Sequence, residues 1–272
     1  MRAFHRAGLF ECLFLIAFLV LLNSCAQRRS VKTPLFEDRR TGITLREWVD
    51  RENVPVAMGY DHPTDVRTDD LKYLLGSIRY QEKGLFGWSE TRNVFTADEL
   101  YRMTPHLVEA FTQADGGKEV LFYLRSGKPG SLFYFERFTD GTMFLAGGKV
   151  NVVFGNVNVR AESESSNLFE GDPRRYYGGG LWKLIATGWQ NLAEDEGGVH
   201  YNWIQLDIAP ALAEKQRVEK ILTERKRRRM APLPKKERQL REPESWEDWG
   251  EDEQISEEPY PDVYFPDELP AR

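Results

Sequence analysis

The chain has 272 residues, a formal net charge of −6 and only two cysteines. This length suffices for one large domain, or for a domain with tails. The mild acidity names no partner by itself, and two cysteines exclude a disulfide-rich scaffold.

The amino terminus has the pattern of an export signal. Arg2, His5 and Arg6 form a basic opening, and Cys12–Leu22 follows as eleven consecutive apolar residues. A membrane-spanning helix needs about 20 apolar residues, and Glu11 stops this run from growing to that length. The pattern is therefore typical of a secretory signal peptide.

The apolar run ends in the sequence Leu-Asn-Ser-Cys (22–25), which resembles the lipobox of bacterial lipoproteins. The resemblance implies a diacylglyceryl group on Cys25, removal of Met1–Ser24 and a lipidated tether over 25–40. In this class Ala26, rather than Asp, implies the outer membrane, facing the periplasm. Several acyl chains hold a protein durably on a bilayer. A cleaved signal with a chance cysteine and a permanent signal anchor are the alternatives.

The first part of the expected domain, 41–209, is predicted to be mainly helical. Leu45 and Trp48 are three residues apart and favour a helical turn within 41–50, and prolines and a glycine predict a loop over 53–63. A helix over 65–80, capped by Thr64 or Asp65, follows from one apolar stripe, formed by Leu71, Leu74, Leu75 and Ile78.

A second helical start is marked by a capping box. Thr96 and Glu99 are spaced so that each side chain satisfies the other's free amide, and Phe95 can pack on Leu100 as a staple. Pro105 then predicts either two short helices or one kinked helix, ending near residue 115.

After Gly117 the apolar period changes from helix to strand. The predicted strands are rich in aromatic and branched residues: 120–124, 132–138, 142–145 and 150–154, the last extended by Val157 and Val159. Asp140-Gly141 and Gly147-Gly148 are typical hairpin turns. Residues 132–135 are apolar on both faces, which predicts a sheet covered on both sides. We therefore predict an α+β fold, an antiparallel β-meander preceded by helices.

The rest of the chain divides into four expected segments. Residues 161–180 are predicted to be a surface excursion, 181–192 a helix with Trp182, Ile185 and Trp189 on one face, and 199–208 a strand. A basic helix is expected over 210–231, with Pro210 at its start. From 232 to 272, prolines and charge leave little to bury, which predicts disorder.

Charge is distributed in blocks near the carboxyl terminus. Between Glu214 and Arg241 there are twelve basic and four acidic residues, whereas 242–272 holds one basic and twelve acidic residues. Such blocks are typical of solvated segments. Export argues against nucleic acid as a partner for the basic run 224–229, so anionic headgroups, the acidic tail or solvent alone are its candidates. The tail can dock on a partner protein or on its own domain through Tyr260–Phe265 and its tryptophans.

No catalytic, metal or cofactor site is predicted. His62, His106 and His200, with Asp61, are too isolated in sequence for a ligand motif, which favours unrelated histidines. Gly178–Gly180 weakly resembles a phosphate-binding loop, but the lysine of that motif is missing.

Three functions follow from these observations. The first is a non-enzymatic envelope lipoprotein, structural or partner-recruiting. The second is a lipid-anchored hydrolase of an envelope polymer that uses the histidines with carboxylates. The third is a small-ligand or glycan-binding module that uses the aromatic residues between Tyr176 and Trp189. The alternative for these aromatic residues is that they belong to the core.

Overall fold

The computed structural model describes residues 29–127, 136–160 and 171–230. The predicted signal peptide, Cys25, the strand segment 132–135 and the tail from 232 lie outside these ranges. Within them the chain has an α+β fold of three helices and mostly antiparallel sheets. None of the described helices is long and apolar enough to cross a membrane.

The strands and helices alternate in small groups along the chain. The helices are α1 Thr68–Gly76, α2 Ala97–Gln113 and α3 Ile208–Met230. The strands are β1 Arg29–Glu37, β2 Thr41–Val49, β3 Arg79–Gly84, β4 Gly87–Trp88, β5 Arg92–Asn93, β6 Lys118–Ser126, β7 Arg137–Ala146, β8 Lys149–Arg160, β9 Trp182–Ile185, β10 Gln190–Asp195 and β11 Gly198–Asp207.

Seven strands form one large antiparallel sheet in the order β1-β2-β6-β7-β8-β11-β10. Strands β6, β7 and β8 are consecutive neighbours, as in a meander. A smaller sheet has the order β4-β3-β5, and β9 pairs with β3. The 3₁₀ turn Pro173–Arg175 precedes β9.

The main core lies between α1, α2 and the large sheet. Leu71, Leu74, Met103 and Phe111 are fully buried there against sheet residues such as Phe122. Burying each side chain of this size contributes roughly 1.5–3 kcal/mol. The apolar stripe predicted for the first helix is confirmed, although Ile78 belongs to the chain that leads into β3.

The capping box at the start of α2 is confirmed. Thr96 accepts from the backbone amide of Glu99 at 3.3 Å, and the Glu99 carboxylate accepts from the amide of Thr96 at 2.8 Å. Pro105 does not divide the helix, which is continuous from Ala97 to Gln113. Interior proline costs about 3 kcal/mol, and burial of Leu107 and the other core-facing residues of the helix offsets that cost.

Three helical predictions are wrong at their ends or in kind. The helix expected over 65–80 spans only 68–76, and its N-cap is Arg67 rather than Thr64 or Asp65. The turn expected within 41–50 is strand β2, where Ile43 and Leu45 alternate toward the core. The helix expected over 181–192 is replaced by β9 and β10.

The Asp-Gly pair at 140–141 is not a hairpin turn, because both residues lie within β7 beside a β-bulge. A Cβ on Gly141 would lie 2.3 Å from the Val153 carbonyl oxygen, so glycine permits close strand approach there. The turn predicted at Gly147-Gly148 is confirmed, with positive φ at both glycines.

The remaining strand and helix predictions agree with the structure. Val157 and Val159 extend β8, the strand expected over 199–208 is β11, and the basic helix is α3 with Pro210 in its first turn. The expected tether overlaps β1, since residues 29–37 form the edge strand of the large sheet.

Candidate functional site

The candidate site lies where two neighbouring strands of the large sheet separate. Strands β8 and β11 pair only between Val153–Trp203 and Lys149–Asp207. Beyond Trp203, toward Gly198, β8 no longer pairs with β11. Residues Gly171–Trp182 lie beside β11 there instead, and we call them the recess segment. Its Tyr177 carbonyl accepts a hydrogen bond from the Tyr201 amide at 2.6 Å. The segment is thus held against the end of β11 that does not pair with β8.

The recess segment and the diverging strands enclose an open recess of about 390 Å³. Within the part of the chain that the structure describes, its lining is aromatic, glycine-rich and free of charged residues: Phe154, Gly155, Tyr176, Tyr177, Gly178, Gly179, Gly180, Leu181, Trp182 and Asn202. Tyr176, Tyr177 and Leu181 are exposed, whereas Trp182 packs edge-on against Phe154. This lining favours a neutral ligand with apolar faces.

Asn202 supplies the recess with a polar group. Its side chain is only 2% exposed, and its amide nitrogen donates to the carbonyls of Phe154 at 3.0 Å and Pro173 at 2.9 Å. These two bonds orient the amide and identify its oxygen. That oxygen, Oδ1, is buried and has no hydrogen-bond partner among the described residues. An unsatisfied buried acceptor costs about 1–3 kcal/mol, and this oxygen has almost no accessible surface.

The glycines of the recess segment have distinct local roles. Gly178 and Gly179 have positive φ, and a Cβ on Gly178 would lie 2.9 Å from the backbone nitrogen of Asn202. A Cβ on Gly180, in contrast, would meet nothing within 4 Å. The glycines lead into strand β9, so the helix expected to follow them, which a phosphate-binding loop would also need, is absent.

A buried histidine, His200, supports the side of the recess formed by Tyr176 and Tyr177, which we call the outer wall. His200 is 2% exposed, and its ring lies 4.2 Å from the Tyr177 ring, centroid to centroid, in a stacked arrangement. Its Nδ1 is 3.2 Å from the Tyr176 carbonyl and its Nε2 is 2.8 Å from the Asp195 carboxylate. Both nitrogens are therefore engaged by the protein, which leaves none to act as a base on a ligand.

Asp195 completes this wall from the β10–β11 turn. Its carboxylate accepts from the Tyr177 hydroxyl at 3.1 Å and from the Gly197 amide at 2.8 Å. The hydrogen bond from His200, with those two bonds, holds the pKa of Asp195 below its ordinary value. The same carboxylate raises the pKa of Tyr177.

A buried ion cluster, centred on Glu119, anchors the start of the recess segment. Glu119 is fully buried and accepts from Arg46 Nε and Trp48 Nε1, each at 2.6 Å. Arg174, from the 3₁₀ turn, lies 3.2 Å from the same carboxylate and donates to the Tyr60 hydroxyl at 2.6 Å. The turn is thereby joined to β2 and β6.

The charges within this cluster balance. Arg174 also pairs with Asp172 at 2.8 Å, so two arginines face two carboxylates. Burial lowers the pKa of Arg174, but Glu119, Asp172 and Tyr60 outweigh it and raise the pKa overall. Burial, followed by the charge of Glu119, raises the pKa of Tyr60. Glu119 therefore neutralises the buried guanidinium group of Arg46 and shares that of Arg174 with Asp172.

A second cavity, of about 230 Å³, adjoins the Glu119 cluster. Arg46 lines it together with Lys32, Glu37 and Asp140. The Nη2 of Arg46 is buried without an acceptor among the described residues. Because cations and carboxylates are mixed in this lining, it does not favour a ligand of one charge.

The three histidines are in separate environments. His62 stacks on Phe111 and accepts from the Leu145 amide at 3.3 Å, and burial lowers its pKa. His106 stacks on Phe36 with a centroid separation of 3.6 Å. Asp61 instead accepts from the Gly148 amide. In the described ranges no group of three or more His, Cys, Asp or Glu residues is placed to hold a metal.

The aromatic group singled out from the sequence is only partly assembled. Tyr176, Tyr177 and Trp182 meet at the recess, but Trp189 stacks on Tyr73 elsewhere. In the basic run, Glu224 forms ion pairs with two following arginines on the exposed face of α3.

Sequence reasoning missed Asn202, Asp195, Glu119 and Arg46. Each stands alone in an otherwise ordinary strand or turn, and only the sheet register brings Arg46 opposite Glu119. One sequence feature could have indicated the site: the polar Asn202 occupies an otherwise apolar position in the alternating pattern of strand 199–208. Comparison of the chain with family models, curated proteins and solved structures finds no match.

Proposed function

We propose that this chain is a non-enzymatic lipoprotein of the bacterial envelope that binds a neutral glycan in the aromatic recess. The lipid anchor at Cys25 and the outer-membrane address rest on the lipobox resemblance. The glycan-binding role rests on the recess, and above all on the exposed tyrosines of its lining, Tyr176 and Tyr177.

The chemistry of the recess suits a sugar ring. Aromatic side chains offer flat apolar surfaces against the C–H faces of a pyranose. Tyr176 and Tyr177 stand exposed at the rim, whereas Asn202 is buried. Among the described residues no cation lines the recess, which argues against a phosphorylated or carboxylated ligand. Envelope polymers supply neutral sugar units at the proposed location.

The hydrolase alternative has less support. Two histidines and a carboxylate within hydrogen-bonding reach of each other in a cleft would favour it. In the described part of the chain one histidine, His200, contacts one carboxylate, and both of its nitrogens are engaged. Partner recruitment by the tail from 232 remains a prediction of the sequence.

Calorimetric titration with N-acetylglucosamine oligomers, together with pelleting on purified peptidoglycan, tests the proposal. We expect Tyr176→Ala to weaken binding by roughly tenfold, as loss of an aromatic contact worth just over 1 kcal/mol implies. Gly180→Gln should abolish binding, because its side chain enters open space within the recess.

Tyr101→Ala is the matched control, since Tyr101 is an exposed tyrosine of α2 that does not line the recess. It should bind like the wild-type chain. Equal affinity of Gly180→Gln and the wild-type chain, or no affinity for either glycan, would contradict the proposal.

A further inference from the structure

The hairpin between β3 and β4 has an apolar tip that projects into solvent. Leu85 is 98% exposed and Phe86 is 104% exposed. The hairpin is closed by the pairs Lys83–Trp88 and Gly84–Gly87. The side chains of Leu85 and Phe86 therefore lie beyond the last paired residues of the hairpin.

Local turn chemistry does not account for this sequence. Two-residue hairpin loops favour Asn, Asp or Gly, which tolerate positive φ. Neither Leu85 nor Phe86 has positive φ, and Gly87 takes that role with φ of 115°. Large apolar side chains at a turn make no stabilising contact with their neighbours, and their exposure to water is unfavourable. Residues that depart from the preferences of their turn in this way are expected at binding surfaces.

The tip continues into a larger apolar surface with a cationic border. Leu181 of the recess segment is 75% exposed, and its carbonyl accepts from the Lys83 amide at 2.7 Å. Lys183 lies over the Trp88 ring at 4.3 Å. We call this surface the hairpin patch: Leu85, Phe86, Trp88 and Leu181, bordered by Lys83 and Lys183.

The charge next to the hairpin patch is mainly positive. Lys83 and Lys183 form no ion pair with a carboxylate in the described ranges. The neighbouring Glu82 already faces Arg92 at 3.9 Å and Arg137 at 3.7 Å. An acidic ligand with apolar side chains therefore fits this surface, since it would neutralise the lysines and cover the tip.

The hairpin patch lies far from the start of the described chain. Glu82 contacts Arg137, and Arg137 pairs with Ser126 at one end of the large sheet. Arg29, which follows the proposed lipid anchor by four residues, pairs with Val49 at the opposite end. The bilayer that holds the anchor is therefore a poor candidate to cover the patch.

The chain itself contains a segment of the required chemistry. Residues 242–272 hold twelve acidic residues and one basic residue, together with Trp246, Trp249, Tyr260, Tyr264 and Phe265. About 30 residues separate Met230, at the end of α3, from Tyr260, and they span up to about 100 Å when extended. A domain of this size is roughly 40 Å across, so the tail can reach any part of its surface.

We propose that the acidic, aromatic tail, residues 242–272, docks on the hairpin patch of its own domain. Tail aromatic residues cover Leu85 and Phe86, and tail carboxylates face Lys83 and Lys183. The patch shares Leu181 with the lining of the recess, but the docking does not require that a glycan binds there.

Hydrogen exchange measured by mass spectrometry on the chain 26–272 tests this docking, because the described fold begins at Arg29 with strand β1. We expect slowed exchange in peptides from both the hairpin 82–89 and the tail 242–272. The double variant Leu85→Ser, Phe86→Ser should restore fast exchange in the tail. The double variant Lys83→Glu, Lys183→Glu should do so partly, and added salt should act in the same direction.

Leu222→Ser is the matched control, since Leu222 is an exposed leucine on α3, away from the patch. It should leave the tail protected. In a chain ending at Leu240, the loss of Leu85 and Phe86 should not alter the thermal unfolding midpoint, because both side chains are almost fully exposed in the described fold.

Three outcomes would overturn the docking. The first is a tail that exchanges equally fast in the wild-type chain and in the Leu85→Ser, Phe86→Ser variant. The second is hairpin protection that persists in a chain ending at Leu240. The third is hairpin protection that depends on added phosphatidylglycerol vesicles, since the occupant would then be a lipid surface.

Discussion

The helix-covered core and the recess segment of this protein are held together by different forces. Under α1 and α2, residues such as Leu71 and Phe111 are fully buried among other apolar side chains. The recess segment is instead joined to the sheet through Glu119, His200 and Asn202. Apolar burial is insensitive to direction, whereas the polar contacts fix orientation. The core therefore supplies stability, and the polar contacts give the recess its shape.

The largest expected effect comes from breaking the core. Phe111→Ala should lower the free energy of unfolding by about 3–5 kcal/mol, because a fully buried ring is lost and a cavity remains. Urea denaturation measures this change. Tyr101→Ala, on the exposed face of the same helix, should change stability by less than about 0.5 kcal/mol. A comparable loss in both variants would show that the helix face does not decide the effect.

Glu119→Gln should have a smaller global effect and a larger local one. It leaves Arg46 and Arg174 buried without their common carboxylate, at a cost of about 3 kcal/mol. Hydrogen exchange should accelerate first in the recess segment. In Phe111→Ala, by contrast, exchange should accelerate first in α1 and α2. Uniform acceleration in both variants would remove the distinction between the two regions.

The smallest expected effect concerns pH. Because the pKa of Asp195 is depressed in the folded chain, its contribution to stability is present above the unfolded value of 3.8 and is lost as pH falls through the folded value. Between pH 5.5 and pH 3, the thermal midpoint of the wild-type chain should therefore fall slightly more than that of Asp195→Asn. Parallel curves for the two chains would show that this carboxylate does not stabilise the outer wall of the recess.

Sequence patterns predicted local structure well where the signal was complete within a few residues. The capping box of Thr96 and Glu99 and the turn at Gly147-Gly148 are examples. Prediction failed where local and tertiary preferences disagree. Asp140-Gly141 has turn chemistry but lies within β7, because Gly141 admits the close approach of β8.

The recess was predicted only in part. Tyr176, Tyr177 and Trp182 were recognised as a possible binding surface because they are aromatic and close in sequence. Asn202 and Glu119 carry no such signal, since their partners Pro173 and Arg46 lie 29 and 73 residues away along the chain. Only the register of the sheet and the separation of β8 from β11 bring these groups together.

The sequence by itself determined the α+β class, the start of α2, most strands of the meander and the block charges of the carboxyl terminus. These depend on periodicity, caps and composition, which act over a few residues. Tertiary structure alone decided that the recess segment enters the gap between β8 and β11, that Pro105 is kept within a helix, and that Leu85 and Phe86 remain uncovered by the described fold. The reason is physical: each depends on which distant surfaces come into contact, and the free energy of those contacts exceeds the local preference of the residues.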